Sequence, residues 1–397
     1  MSERTQLPTI VRATHRRWLS ELTQIPTAAG REQRVMRWIE RWAAERPEIV
    51  AEPDAAGNIA IRRRESPLTI APVWFTAHLD HPAFVVERII APGVLELSFR
   101  GGVMDDYFKN GRIAVFDHED RRFPGVLTGS VDGPGPFKRY TAELASSEAD
   151  SLKIGDVAVW DLPAAEEIDG CIHTSACDDL AAAAAALASY DALLGLGPPA
   201  QDVRLLFTRA EEIGFVGAIA ACRLGTLPGG SRIIALENSR SFPDSPIGGG
   251  PIVRVGDRLS IFTPRLTDAV AKRAEDIAGA PPQPIASQKR SEPPAWKWQR
   301  KLMAGGACES SVFCDAGYEC TCVCLPLGNY HNMGDLAAVQ AGTNASPAVI
   351  EREFISLTDF DGLVDLLVAC GRNLPAAGSL SSRFEKLYDE RAFVLKD

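Results

Sequence analysis

The sequence lacks a basic excess, a long apolar run and a dense cysteine framework. Its 42 Lys and Arg stand against 52 Asp and Glu, a net charge of −10 with His neutral. Acidity of that size argues against a nucleic-acid partner, whose electrostatic footprint is basic, and against an anionic membrane surface. No stretch reaches the roughly 18 apolar residues of a membrane span. The polar start, MSERTQLPTIVRATHRRW, does not read as a secretory leader. Nine cysteines in 397 residues are odd in number and sparse, unlike a small secreted scaffold, and paired C-x-x-C zinc spacings are absent. A reduced, cytoplasmic protein is the expectation. No P-loop and no strand-linked G-x-G-x-x-G supports a nucleotide site.

What is present is ordinary globular composition, 46% hydrophobic and 24% charged. At about 100–200 residues per domain, the length implies two or three domains. Residues 13–45 read as one or two amphipathic helices, broken by the turn PTAAG at 26–30. PVWFTA (72–77) suits a buried strand. Between 82 and 165 the texture changes to short strand-like runs, AFVVERI, VLELSF, RIAVFD, GVLTGS and VAVWD, with a short helical stretch near 142–152. From 178 the α/β texture returns. A helix is expected in DDLAAAAAALASYDALLGLG, then strand VRLLFT, a helix opening at EEIGFVGAIAAC, strand RIIALE, helix 264–278, strand CTCVCLPL and helix 357–373. The fold class is therefore α/β, a mixed, mostly parallel sheet sandwiched by helices, with a small inserted all-β barrel-like domain. The domains are drawn at 1–81 plus 166–397 for the catalytic part and 82–165 for the insertion.

Ligand sites in such sheets lie beyond the carboxyl ends of the strands. His78 follows strand 72–77, with Asp80 two residues on, where its carboxylate can hold the second imidazole nitrogen. Asp178 and Asp179 open the Ala-rich helix. Glu211 and Glu212 follow strand 203–208, Glu237 ends the next strand, and His331 lies past strand 320–327. Five ligands on one rim suffice for two divalent cations sharing a carboxylate, with a further acid free to take a proton from water. Crowded carboxylates also call for a cation as counter-charge. Taken singly, Asp178 also suits a helix N-cap, Glu211 and Glu212 suit first-turn acids, and His331 suits a plain loop histidine.

The ordered set AHLD, CDDLAAAA, TRAEEIGFVGA, ALEN and YHNMGD resembles the dinuclear metallo-exopeptidases, and within them the glutamyl-aminopeptidase and tetrahedral-aminopeptidase family. LASSEADSLKIGDVAVWD (144–161) resembles the end of that family's inserted domain, and GGACESSVF (305–313) its Gly-Gly-x-Asp/Glu segment. The similarity spans roughly residues 18–370. It implies a zinc-exopeptidase-like fold. One ion would be held by His78, Asp178 and Glu237, and the other by Asp178, Glu212 and His331, with Asp178 bridging. Asp80 would orient His78, and Glu211 would be the general base. The Asp178–Asp179 peptide is often cis in such enzymes. The implied activity is a metal-dependent exopeptidase, an aminopeptidase releasing N-terminal residues of peptides by a metal-bridged hydroxide. Alternatives on the same site are a carboxypeptidase, a dipeptidase or an N-acyl amino-acid amidohydrolase, and beyond these a non-catalytic binding or assembly protein. The implied cofactors are two divalent ions, zinc first and cobalt or manganese next. The implied partners are a peptide or amino-acid-amide substrate and further copies of the chain, with no nucleic acid and no membrane.

Several residues stand apart. HLDHP places His81 and a proline beside the site, where the family generally has Glu after His-x-Asp, and Glu237 stands where the family generally has Asp. His81, Asp179 and His173 are candidates for a supporting or substrate role. His118 reads as an exposed turn. Cys320, Cys322 and Cys324 alternate on one face of a strand and read as small buried hydrophobes. Lys289, Arg290, Trp296 and Trp298 sit in a Pro-rich segment that could border a pocket, an oligomer contact or plain packing. The GGG at 248–250 reads as a turn.

Overall fold

The computed structural model describes residues 7–66, 71–146, 149–196, 201–282, 295–375 and 380–395. Lys289 and Arg290 lie outside them. Helices α1 (Thr9–Leu22) and α2 (Gln33–Ala44) come first, followed by strands β1 (Ile49–Pro53), β2 (Ile59–Arg63) and β3 (Val73–His78). Six strands follow: β4 (Ala83–Ala91), β5 (Val94–Arg100), β6 (Arg112–Phe116), β7 (Arg122–Val131), β8 (Lys138–Leu144) and β9 (Val157–Trp160). They close into a barrel in the order β4-β5-β8-β7-β6-β9. The barrel is filled by Phe84, Phe99, Phe108, Tyr140 and Trp160, with Phe108 stacked on Tyr140 at 4.4 Å.

Next come β10 (Glu166–Ile168), β11 (Cys171–Thr174), α3 (Leu180–Gly195), β12 (Val203–Thr208), α4 (Val216–Leu224), β13 (Arg232–Arg240), β14 (Ile252–Asp257) and α5 (Pro264–Ala278). The chain continues with β15 (Gln299–Met303), α6 (Glu309–Asp315), β16 (Glu319–Leu327), α7 (Leu336–Ala341), β17 (Glu353–Ser356), α8 (Leu357–Arg372) and α9 (Leu380–Arg391). The main sheet has eight strands, ordered β1-β2-β12-β3-β13-β16-β14-β15. Its centre, β12, β3, β13 and β16, is parallel, while β2 and β14 join it antiparallel. A second sheet has the order β10-β11-β17.

Strands β3 and β12 are buried along their whole length, and β13 and β16 along all but their ends, as a sheet covered on both faces requires. One face carries α1, α2, α3, α5 and α8, and the other α4 and α6. Helix α3 is apolar all round, and its alanines let it sit between the sheet and α1 and α8.

The α/β class and the barrel are as expected from the sequence. The local differences have causes. The described residues of the stretch near 142–152 are not helical: β8 runs to Leu144, drawn into the barrel by its pairing with β5 and β7. The segment after Glu211 turns before it becomes helix, because Ala210 and Phe215 take φ of 54° and 59°. Trp296 and Trp298 pack in the main core, just before β15 opens at Gln299. Cys320, Cys322 and Cys324 are buried, and all nine cysteines are free thiols. The Gly248–Gly250 turn is held by Asp359, which accepts both backbone N–H groups. No helix among the described residues is long and apolar enough to cross a membrane.

Candidate metal centre

Strands β3, β12, β13 and β16 end on one rim, and the acids and histidines singled out in the sequence gather there. His78 is the last residue of β3. Its Nε2 lies 3.4 Å from Asp178 Oδ1 and 3.9 Å from both Glu237 Oε1 and Glu211 Oε2. His331 Nε2 lies 3.4 Å from the other Asp178 oxygen and 3.3 Å from Glu212 Oε1. Asp178 thus faces one histidine with each oxygen. Two sets emerge, His78–Asp178–Asp179–Glu237 and Asp178–Glu212–His331, and Glu211 joins His78 and Glu212 in a third.

These spacings have a chemical meaning. Ligand atoms about 2.0–2.2 Å from a shared ion stand about 3.3–3.6 Å apart in a tetrahedron. Asp178 Oδ1 and Glu212 Oε1 are buried and make no hydrogen bond among the described residues, although an imidazole nitrogen is close to each. The groups point at common centres rather than at each other, so the residues fit a pair of divalent cations.

The surroundings fix each group. Asp80 uses both carboxylate oxygens on the backbone N–H groups of Glu211 (2.9 Å) and Glu212 (3.0 Å). The nearest acceptor for His78 Nδ1 is the Asp80 carbonyl oxygen at 3.1 Å, with the carboxylate at 3.5 Å. Asp80 therefore orients the Glu211–Glu212 turn as well as His78. Asp179 accepts the His78 N–H at 3.2 Å, and the Asp178–Asp179 peptide is cis. Neither aspartate caps α3 through its side chain, and Glu211 and Glu212 precede α4 rather than lying in its first turn.

Charge is crowded here. Burial pushes Glu211 well above the usual carboxylate range, with His78 opposing and Glu237 and Glu212 adding. Burial and the Asp178 charge raise Glu237 to about 8. Asp179 is raised well up by burial, against His78. Burial also disfavours ionised Asp178, but the approach of His331 and His78 holds it low. Burial would lower both histidines; Glu211 and Asp178 lift His78, and Glu212 and Asp178 lift His331. Without a cation the cluster balances itself by sharing protons.

His81 stands beside the cluster: its Nδ1 is 2.5 Å from the Asp178 carbonyl oxygen and its Nε2 is 3.0 Å from Asn332 Oδ1. His173 is not brought in; its ring stacks on Phe354 at 4.7 Å, on the β11–β17 pair. His118 is exposed and faces Glu119.

Sequence reasoning did not single out several contributors. The carbonyl of Gly102, in the loop after β5, lies 2.6 Å from His331 Nδ1, and Tyr107 donates to the Gly334 carbonyl at 2.6 Å. The barrel segment thereby fixes the His331 loop. Glu32 anchors the turn before Glu211, accepting from Ala210 N–H and Arg209. Glu353 binds backbone on both sides of the centre. A cavity of about 580 Å³ opens from the cluster and is lined also by Arg240, Arg254, Lys301, Met303 and Tyr330. Apart from Tyr330, which opens the YHNMGD motif, none of these carried a motif signal. Only the Arg254 charge, in an otherwise apolar strand run, could have drawn notice.

A mixed, strand-end ligand set with an inserted barrel defines the class: a metallo-exopeptidase-like fold. Residues 141–280 match the sequence model of the M42 glutamyl aminopeptidase family. That match spans Asp178, Glu211, Glu212 and Glu237, while His78 and His331 lie outside it. It bears out the family resemblance and the expected class, a hydrolase of peptide bonds. No curated protein matches the chain at a significant level. The TET aminopeptidase of Thaumarchaeota archaeon SCGC AB-539-E09 superimposes with a TM-score of 0.71 at 16% identity, over 91% of this chain and 98% of that one. Aminopeptidase APDkam598 of Desulfurococcus kamchatkensis gives 0.70 at 19% identity, over 91% and 95%. The TET1 peptidase of Pyrococcus horikoshii, which can assemble into a tetrahedron or a large octahedral shell, gives 0.68 at 20%, over 91% and 100%. These likenesses show the fold.

Proposed function

We propose that the chain is a metal-dependent aminopeptidase holding two divalent cations. The observation that carries this reading is the pair of ligand sets sharing Asp178, each of whose oxygens lies 3.4 Å from one imidazole nitrogen, with Glu212 3.3 Å from the second imidazole. His78, Asp178 and Glu237 hold one ion; Asp178, Glu212 and His331 hold the other. Zinc suits this His/carboxylate set, as do cobalt and manganese. When bound, the ions polarise the scissile carbonyl and acidify water. Glu211, buried beside His78 and held by Asp80 through its backbone, takes the proton from water and hands it to the leaving amine. Asp80 keeps that carboxylate in place, and Asp179 steadies the His78 backbone.

The cavity supports a preference for acidic N-terminal residues. Lys301 pairs with Asp244, whereas Arg240 donates to the neutral amide of Gln340 and keeps its charge at the cavity wall. Arg254 is 2% exposed, lines the cavity, and has Cys324 Sγ at 2.9 Å as its hydrogen-bond partner among the described residues. A buried guanidinium without a carboxylate favours one from the substrate. The same cation would suit a C-terminal carboxylate, which keeps the carboxypeptidase and dipeptidase alternatives as a second reading. A panel of substrates with free or blocked ends separates them. Fast cleavage of free-amino Glu and Asp substrates, lost about 10–100-fold in Arg254→Met with a neutral substrate spared, is expected. Cleavage only of N-blocked substrates would move the assignment to the second reading.

The barrel, residues 82–165, is proposed as a separate domain that shapes access to the centre. The chain is also proposed to form a homo-oligomer, as the TET1 peptidase does. Light scattering that gives the 42.8 kDa monomer would contradict this. Nine free thiols support a reducing, cytoplasmic setting. Cell fractionation is its check, with a secreted protein as the contrary result.

A further inference from the structure

The side chain of Glu353 is fully buried and does not line the cavity. One carboxylate oxygen accepts the backbone N–H groups of Cys177 (2.6 Å) and Asp178 (3.0 Å). The other accepts the N–H of His331 at 2.8 Å. Three main-chain donors from two remote segments thus meet on one side chain, and both segments carry a candidate ligand. The fold explains how. Strand β17 begins at Glu353 and pairs with β11, placing Glu353 opposite Thr174. The chain leaving β11 then passes the carboxylate on its way to Asp178.

Both ligand segments need such support. Asp178 precedes α3 and lies in no helix or strand. His331 takes φ of 55°, between Asn329 at 52° and Asn332 at 63°. Non-glycine residues in the left-handed region persist where the surroundings over-determine them. A second tie closes the same gap. His81 spans from the Asp178 carbonyl to Asn332, whose amide donates to the Ser175 (2.8 Å) and Glu351 (3.1 Å) carbonyls.

We propose that Glu353 is a positioning residue that fixes the spacing between Asp178 and His331, and so the geometry of the cation site they share. The proposal rests on the two-cation reading above. A carboxylate is required because it presents two oxygens to three donors, whereas an amide presents one oxygen and an amino group that repels N–H.

The test is chelator competition for Zn²⁺ and Co²⁺ on the full chain, with the visible spectrum of the Co²⁺-loaded protein as a direct readout of ligand geometry. Glu353→Gln is expected to weaken one of the two ions by about 10–100-fold and to change the spectrum. Asp359→Asn is the control. It alters a carboxylate that holds backbone N–H groups of the Gly248–Gly250 turn. It is expected to lower the melting temperature while leaving affinity and spectrum unchanged. Asn332→Ala removes the His81 acceptor and keeps the carboxylate. It is expected to give a milder change of the same kind, and it carries the test if Glu353→Gln does not fold. Wild-type affinity and spectrum in the folded Glu353→Gln variant, or in Asn332→Ala if Glu353→Gln does not fold, would overturn the clamp. Fewer than two ions on the wild-type chain would instead overturn the two-cation reading, and the clamp with it.

Discussion

At the scale of single residues, the proposed function gives Glu211 and its neighbours opposite jobs with the same functional group. Glu212 faces an imidazole across the spacing of shared ligands, whereas Glu211 stands 3.9 Å from His78, is held by its backbone and is left with a raised proton affinity. Glu211→Gln keeps the shape and removes the proposed base. Metal content is expected to stay at the wild-type level while kcat falls about 10²–10⁴-fold. Near-normal turnover would refute the assignment. The cluster also makes stability depend on pH in a definite sense. In the metal-free protein, burial lifts Glu237 to about 8 and Glu309 and Glu353 to about 7, and neighbouring carboxylates lift His78 and His331 against their own burial. All five then bind protons more tightly folded than unfolded. The stabilisation is complete below the unfolded values and is lost as pH rises through the folded ones. Chelated protein should therefore melt at a higher temperature at pH 6 than at pH 8.5. Metal-loaded protein should show the reverse trend, because cations compete with those protons. A chelated protein whose melting temperature rises over that interval would contradict the charge assignment.

At the scale of elements, the turn between β12 and α4 carries Glu211 and Glu212 and depends on Gly217. A Cβ there would lie 2.3 Å from the Arg209 carbonyl oxygen and 2.4 Å from its nitrogen. Those are backbone atoms two residues from Glu211 and cannot swing away. Gly217→Ala is expected to destabilise the fold by about 1–3 kcal/mol and to lower kcat with it, as measured by thermal melting and initial rates. An alanine variant with wild-type stability would show that the turn is softer than its packing indicates. The same element marks where the sequence was legible. Most candidate ligands could be read because they sit at a strand end or helix start, and strand ends are visible as breaks in apolar runs; Glu237 was read as a strand end, although β13 runs on to Arg240 through its pairing with β16. Glu353 and Gly102 could not be read. They act through backbone donors and carbonyls, which leave no residue-type signature, and their partners are remote in sequence. Strand β8 was missed because barrel closure, not local propensity, makes KRYTAEL extended. The direction of Asp80 was only half legible: spacing puts it beside His78, but its carboxylate is taken by the Glu211–Glu212 turn.

At the scale of the whole molecule, the barrel and the α/β body meet at the metal centre. Gly102 faces His331, Tyr107 holds the loop beyond it, and the small sheet delivers Glu353 from below. The centre is thus built from both parts of the chain, and a catalytic core without residues 82–165 would lack the carbonyl that orients one imidazole. The net charge of −10 agrees with a small peptide substrate rather than a polyanion, entering a cavity that keeps positive charge at Arg254 and Arg240. The most direct test of the account is a metal titration of the chelated protein, followed by hydrolysis of a free-amino aminoacyl substrate and its N-blocked counterpart. The account predicts activity that rises with zinc or cobalt, saturates at two ions per chain and is confined to the free-amino substrate. No hydrolysis of either substrate at any metal content would contradict it.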